Sequence, residues 1–188
     1  MSVRMVVAAF VVTVCTSAFG QENYIVDPLH TTTTFSVSHL GLSVQRGSFG
    51  RTTGTVVLDR AGKKGSIDVA IDASTVTSGS EPREKMLKGE DYFDTARFPS
   101  ITFKSANLKF DGDRVVAADG ELTMRGVTKP VMLSVADFKC ATHPMTKKPA
   151  CGAEVTATVK RSDFGMTKNQ ASTADDVKIA VAIEALQQ

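Results

Sequence analysis

The sequence predicts an all-β protein: an extended antiparallel barrel of about eight strands with one short helical insert near residues 81–94. Two observations predict this. Apolar and polar residues alternate with period two in run after run, the pattern of strands with one dry and one wet face. Short Gly- and Asp-bearing turns stand between the runs, and a single stretch carries helix signals. So many antiparallel strands must hide their edges, and closure into a barrel removes edges altogether. The 188 residues show no internal repeat and no composition break, so one domain is expected.

The chain opens on an address. Met1-Ser2-Val3-Arg4 carries one positive charge, Met5 to Cys15 is almost wholly apolar, and Ala18 and Gly20 stand as an A-x-G cleavage site before Gln21. Residues 1–20 therefore read as a secretory signal peptide and 21–188 as the mature domain. The apolar run falls short of the ~20 residues that span a bilayer, and no second long run leaves a transmembrane segment in the mature chain. Val14 occupies the place where a lipid-attachment site wants a small residue, so Cys15 reads as an apolar member of the signal. In an exported chain, the remaining pair Cys140 and Cys151 reads as a disulfide closing the loop 141–150, worth roughly 3 kcal/mol or less. The rival reading is a metal held by Cys140, His143 and Cys151, which lacks a fourth ligand.

The strands follow in order. Thr31, Thr33, Phe35, Val37 and His39 share one face, with Thr32, Thr34, Ser36 and Ser38 on the other. Phe49 and Val56 lie an odd number apart across Gly50 and Gly54, so a bulge or sharp bend must absorb one residue if both point inward. Ile67, Val69 and Ile71 form the next face, then Ile101 and Phe103, then Leu122 and Met124. Val131, Leu133 and Val135 follow, and the last two runs present Ala153, Val155, Ala157, Val159 and Val177, Ile179, Val181, Ile183. Turns are expected at 59–65 and 111–113. In the insert, Ser80 is placed to cap, Pro82 suits a first turn, Gly89 stops the helix, and Met86 and Leu87 form its apolar side.

Function classes narrow by exclusion. A net charge of +2 gives no electrostatic case for nucleic acid. There is no G-x-S-x-G elbow, Walker loop or H-E-x-x-H motif. His30 and His39 are nine positions apart, an odd spacing that sends them to opposite faces of a regular strand. For His30 a turn-stabilising hydrogen bond with Asp27 is the simpler role. Glu84, Glu90, Asp91 and Asp94 read as a solvated acidic cluster, and Arg161-Ser162-Asp163 as a structural ion pair at a strand end. No metal site or cofactor is expected. The informative set is Phe and Met: ten Phe and no Trp supply apolar area without polar handles, suited to a core or to the walls of an oily cavity.

The motif order resembles the YceI-like family of exported lipid-binding proteins. Its opening strand is matched by Asp27-Pro28-Leu29-His30-Thr31 running on to Phe35, Val37 and His39, and a Val-x-Gly-x-Phe element by Val44 to Phe49 with one residue more. Arg83-Glu84-Lys85-Met86-Leu87, Asp91-Tyr92-Phe93-Asp94 and Phe98-Pro99 match its insert. Gly120 to Lys129 match its G-x-L-T-x-[HKR]-G-V-T-[KR] signature, and Arg161-Ser162-Asp163-Phe164-Gly165 its R-x-D-F-G element. Met86 departs from the pattern, because the family often has His there. The resemblance implies a lipocalin-like barrel in the periplasm that binds a long polyisoprenoid or similar amphiphile, such as a quinone tail. On that reading Phe35, Val37, Phe49, Met86, Leu87, Phe93, Phe103, Met124 and Phe164 line the cavity, and His30 and His39 contact a polar head. A carrier without a chemical step is expected. An enzyme acting on an isoprenoid in the same cavity, and a stress-related interaction module with a packed interior, are the alternatives. Whether the chain forms a homodimer is left open.

Overall fold

A computed structural model describes residues 20–188. The signal-peptide reading therefore lies outside the described residues, Gly20 apart. The strands are β1 (Glu22–Val26), β2 (Thr32–His39), β3 (Ser43–Phe49), β4 (Thr52–Asp59), β5 (Lys64–Asp72), β6 (Val76–Thr77), β7 (Ser100–Asp111), β8 (Arg114–Met124), β9 (Val127–Thr142), β10 (Pro149–Lys160) and β11 (Thr173–Gln187). Among the described residues one α-helix, α1 (Glu81–Lys88), interrupts them. Among the described residues no helix is long and apolar enough to cross a membrane.

These segments form eight staves of a closed antiparallel barrel. β1 and β2 lie end to end along β11, β3 continues into β4, and β5 into β6. From β5 the order runs β7, β8, β9, β10, β11, and the β1–β11 pairing closes the ring. Consecutive staves are thus sheet neighbours, and the expected fold class is the observed one.

Each break in a stave has a local cause. Between β1 and β2, Asp27 accepts from the Leu29 N–H and holds His30 Nδ1 at 2.7 Å, the turn the sequence suggested. The Thr31 hydroxyl then stands in for the ladder, donating to the Glu184 carbonyl and accepting from the Glu184 N–H. Between β3 and β4, Gly50 and Arg51 absorb the odd residue, so Phe49, Thr52 and Leu58 are all buried. Gly54, at φ +144°, lets the β5 backbone approach where a side chain would collide with the Asp68 carbonyl. A bulge at Gly152/Glu154, opposite Asp137 in a left-handed conformation, shifts the inward parity of β9 from Val135 to Phe138.

The helix differs from expectation in two details. Ser80 precedes it but makes no side-chain cap; instead the Glu84 carboxylate accepts from the Ser78 N–H at 2.8 Å. Adjacent positions on a helix point about 100° apart, so Leu87 turns inward while Met86 is 44% exposed.

Candidate functional site

The barrel is hollow. A cavity of about 240 Å³ runs inside it, many times the ~10–15 Å³ that a single water needs. Its lining includes Phe35, Leu87 and Tyr92 toward one end and Tyr24, Phe138 and Cys151 toward the other. Along β11, the regularly alternating lining residues from Val177 to Ala185 span roughly 26 Å at ~3.3 Å per residue.

The lumen owes its shape to side-chain size. On β9, β10 and β11 the inward residues Val131, Leu133, Val135, Ala153, Val155, Ala157, Val177, Ile179 and Val181 are only half-buried because they face a void, while Val159 and Ala185 at the two ends are buried. Opposite, Ile101, Phe103, Leu122 and Met124 are buried. Near the helical insert, Phe35, Phe49 and Phe93 pack edge-on or tilted with ring centroids 5.2–5.6 Å apart. Phe35 lies over Gly47, where a side chain would strike its ring.

Most polar groups inside are already engaged, although Arg60 Nε at the disulfide end has no partner. The Thr33 and Thr52 hydroxyls bond each other at 2.9 Å. The Tyr24 hydroxyl donates to Glu22 at 3.1 Å and accepts from Arg60 at 3.1 Å, and burial raises its pKa. Arg161, 3% exposed, donates to the backbone carbonyls of Ala174, Met166, Lys168 and Thr173 at 2.7–3.0 Å. The expected ion pair of Arg161 and Asp163 is therefore not formed: Asp163 is exposed, and Arg161 ties the 165–173 segment across one barrel end. Ser162 instead donates its N–H and hydroxyl to Asp175, and the hydroxyl bond holds that carboxyl below its usual pKa.

The residues expected to line the cavity divide. Phe35, Val37, Phe49, Leu87, Phe93, Phe103 and Met124 all face the lumen. Met86 does not, being half out in solvent on the other side of α1. Phe164 does not either: it is 1% exposed in a short 3₁₀ turn (Arg161–Phe164), packed into the barrel end, and Met166 takes the lining place. His30 is exposed in the β1–β2 turn, away from the lining, its pKa raised by the hydrogen bond to Asp27. His39 is half-buried at the end of β2 opposite Thr173 and is not part of the lining. The aliphatic rows of β9–β11 were missed as lining, because their alternation reads the same for a filled core.

Cys140 and Cys151 stand directly opposite each other in the β9–β10 register and are joined as a disulfide, which leaves no thiolate for the rival metal reading. Arg60 Nη2 lies 3.2 Å from Cys140 Sγ and 3.0 Å from a Glu22 carboxylate oxygen, so Tyr24, Glu22, Arg60 and the disulfide close this end together. His143 is occupied in the hairpin loop, its ring nitrogen accepting from the Met145 and Thr146 N–H groups.

Comparison with known proteins adds the following. The family model described as YceI-like domain matches residues 24–185. Protein YceI of Escherichia coli O157:H7 is 31% identical over 160 residues, covering 85% of this chain and 83% of that protein. Protein YceI of Salmonella arizonae matches over the same length at the same identity. Among solved structures, Burkholderia cenocepacia BcnA superposes with a TM-score of 0.70 at 24% identity, covering 85% of this chain and 98% of that one. A polyisoprenoid binding domain from Saccharophagus degradans superposes with a TM-score of 0.65 at 16% identity, covering 88% and 98%. At these identities the structural likenesses speak for the fold.

Proposed function

The chain belongs to the YceI-like family, and from that premise we propose that it is a periplasmic carrier that holds a long polyisoprenoid or similar amphiphilic lipid, of quinone-tail type, in its lumen without a chemical step. The observation that carries the reading is the hollow, apolar interior, in which the Thr33 and Thr52 hydroxyls bond each other and Arg161 is spent on backbone carbonyls. Such a lumen favours hydrocarbon, because each methylene withdrawn from water contributes about 0.8 kcal/mol. Ordering the chain and the loss of free motion subtract from that sum, so affinity stays well below it. Phe35, Val37, Phe49, Leu87, Phe93, Phe103 and Met124 supply the walls near the insert. The described solved relative named as a polyisoprenoid binding domain is consistent with this cargo. The disulfide suits an oxidising compartment, which supports the periplasmic placement.

The test is organic extraction of protein purified from its native host, followed by mass spectrometry, with uptake of a prenyl quinone in vitro as the companion measurement. A prenyl lipid in the extract and saturable uptake are expected. An empty extract together with no uptake would remove the reading, and conversion of the quinone during incubation would replace the carrier with an enzyme.

A further inference from the structure

We infer that the β2–β3 hairpin is a docking surface for an anionic phospholipid bilayer; the inference rests on the reading that the lumen carries a membrane lipid, and it names where loading takes place. Three exposed apolar side chains fall within five residues here: Leu40 is 58% exposed, Leu42 85% and Val44 48%. The other large exposed apolar residues, such as Leu29, Met132 and Met145, are scattered singly along the chain. Antiparallel pairing puts Val44 opposite Ser38 and Arg46 opposite Ser36, so the alternate positions Leu42, Val44 and Arg46 form one outward stripe on β3.

The turn itself is unusual. Leu42 N–H donates to the His39 carbonyl at 3.0 Å, and Leu40 and Gly41 have φ of +56° and +67°, a tight turn of the kind that favours Asn and Gly at its centre. A leucine there is disfavoured by local sterics as well as by its exposure. The hairpin thus holds an apolar side chain in solvent at a position where turn chemistry asks for a polar one.

Charge identifies the occupant. From Pro28 to Leu58 there is no Asp or Glu, and the only Lys or Arg residues are Arg46 and Arg51. The outward residues of β2 beside the stripe, Thr32, Thr34, Ser36 and Ser38, are uncharged. The nearest acidic groups on the adjoining strand, Asp175 and Asp176 of β11, are held by Ser162 and Lys160. An apolar tip backed by an arginine, with no acidic residue of its own, complements a surface with a hydrocarbon interior and anionic headgroups. The hairpin is also continuous with the lumen, because Phe35 and Val37 of the same β2 strand line it. A lipid leaving the bilayer at this tip would meet apolar walls within a few residues.

The experiment is flotation of the protein with vesicles of phosphatidylethanolamine and phosphatidylglycerol, and with vesicles of phosphatidylcholine alone. The protein is expected to float with the anionic vesicles and much less with phosphatidylcholine. The double variant Leu40→Ser/Leu42→Ser is expected to lose roughly tenfold or more in vesicle affinity, and Arg46→Glu about fivefold or more on the anionic vesicles only. Both leucines are exposed, so thermal melts of the variants should match the parent. Uptake of a prenyl quinone delivered from ethanol, with no bilayer present, should be unchanged in every variant. Absence of flotation by the parent protein, or variants that float equally well, would overturn the inference. So would a dimer in analytical ultracentrifugation that the leucine variants abolish, with no vesicle binding, since the hairpin would then face a second copy of the chain. Loss of quinone uptake in the parent with flotation intact would strike the carrier reading and leave the docking surface standing.

Discussion

Two walls of the barrel obey the same period-two code and end differently. On β7 and β8 the inward residues Ile101, Phe103, Leu122 and Met124 are buried against their neighbours. On β9, β10 and β11 the inward residues are mostly Val and Ala, and they face empty space. Alternation fixes which side chains point in; side-chain volume decides whether the inside is filled. Both walls line the lumen: the large side chains of the first are packed tightly against their neighbours, and the small ones of the second leave the room.

Truncation on each wall sharpens that contrast. Phe103→Ala removes a ring that is packed against its neighbours as well as lining the lumen, and should cost about 3–5 kcal/mol in urea unfolding. Val181→Ala removes methyls that already border a cavity and should cost about 1 kcal/mol or less. Equal losses would break the distinction. Arg161→Met leaves four backbone carbonyls without donors at the barrel end. It should cost about 3 kcal/mol and raise hydrogen exchange in residues 165–173. Reducing the Cys140–Cys151 disulfide should cost at most about 3 kcal/mol, because β9 and β10 remain paired on both sides of it; a lower Tm with unchanged far-ultraviolet circular dichroism is expected.

The smallest effect is a pH dependence on the β1–β2 turn, outside the lumen. The bond to His30 lowers the Asp27 pKa from 3.8, and the same bond raises the His30 pKa from 6.5. The histidine contribution is full below its unfolded value and fades as pH rises through the raised folded value. The carboxylate contribution is full above its unfolded value and fades as pH falls through the lowered folded value. The pair therefore helps most between pH 3.8 and 6.5, and stability should slip slightly as pH climbs past that window. His30→Ala should flatten this slope in thermal melts followed across pH.

Much of the fold was legible because an antiparallel meander writes each stave locally. The odd spacing of Phe49 and Val56 even announced a bend, found at Gly50–Arg51. The bulge opposite Asp137 was not legible, since nothing in Val135-Ala136-Asp137-Phe138 says that the parity shifts there. At the site, the aromatic lining was readable from Phe and its alternation. Met86 misled because helical neighbours diverge, and Phe164 because a turn of four residues has no period to read. Sequence proximity pairs Arg161 with Asp163 two residues away, whereas its partners are carbonyls brought in by the fold.

If the lipid lies against the small side chains of β9–β11, filling that space must exclude it. Ala157 on β10 faces the void, so Ala157→Phe should occupy it with little loss of Tm while saturable uptake of a prenyl quinone falls by tenfold or more. A stable Ala157→Phe protein that takes up the quinone as well as the parent would contradict the account.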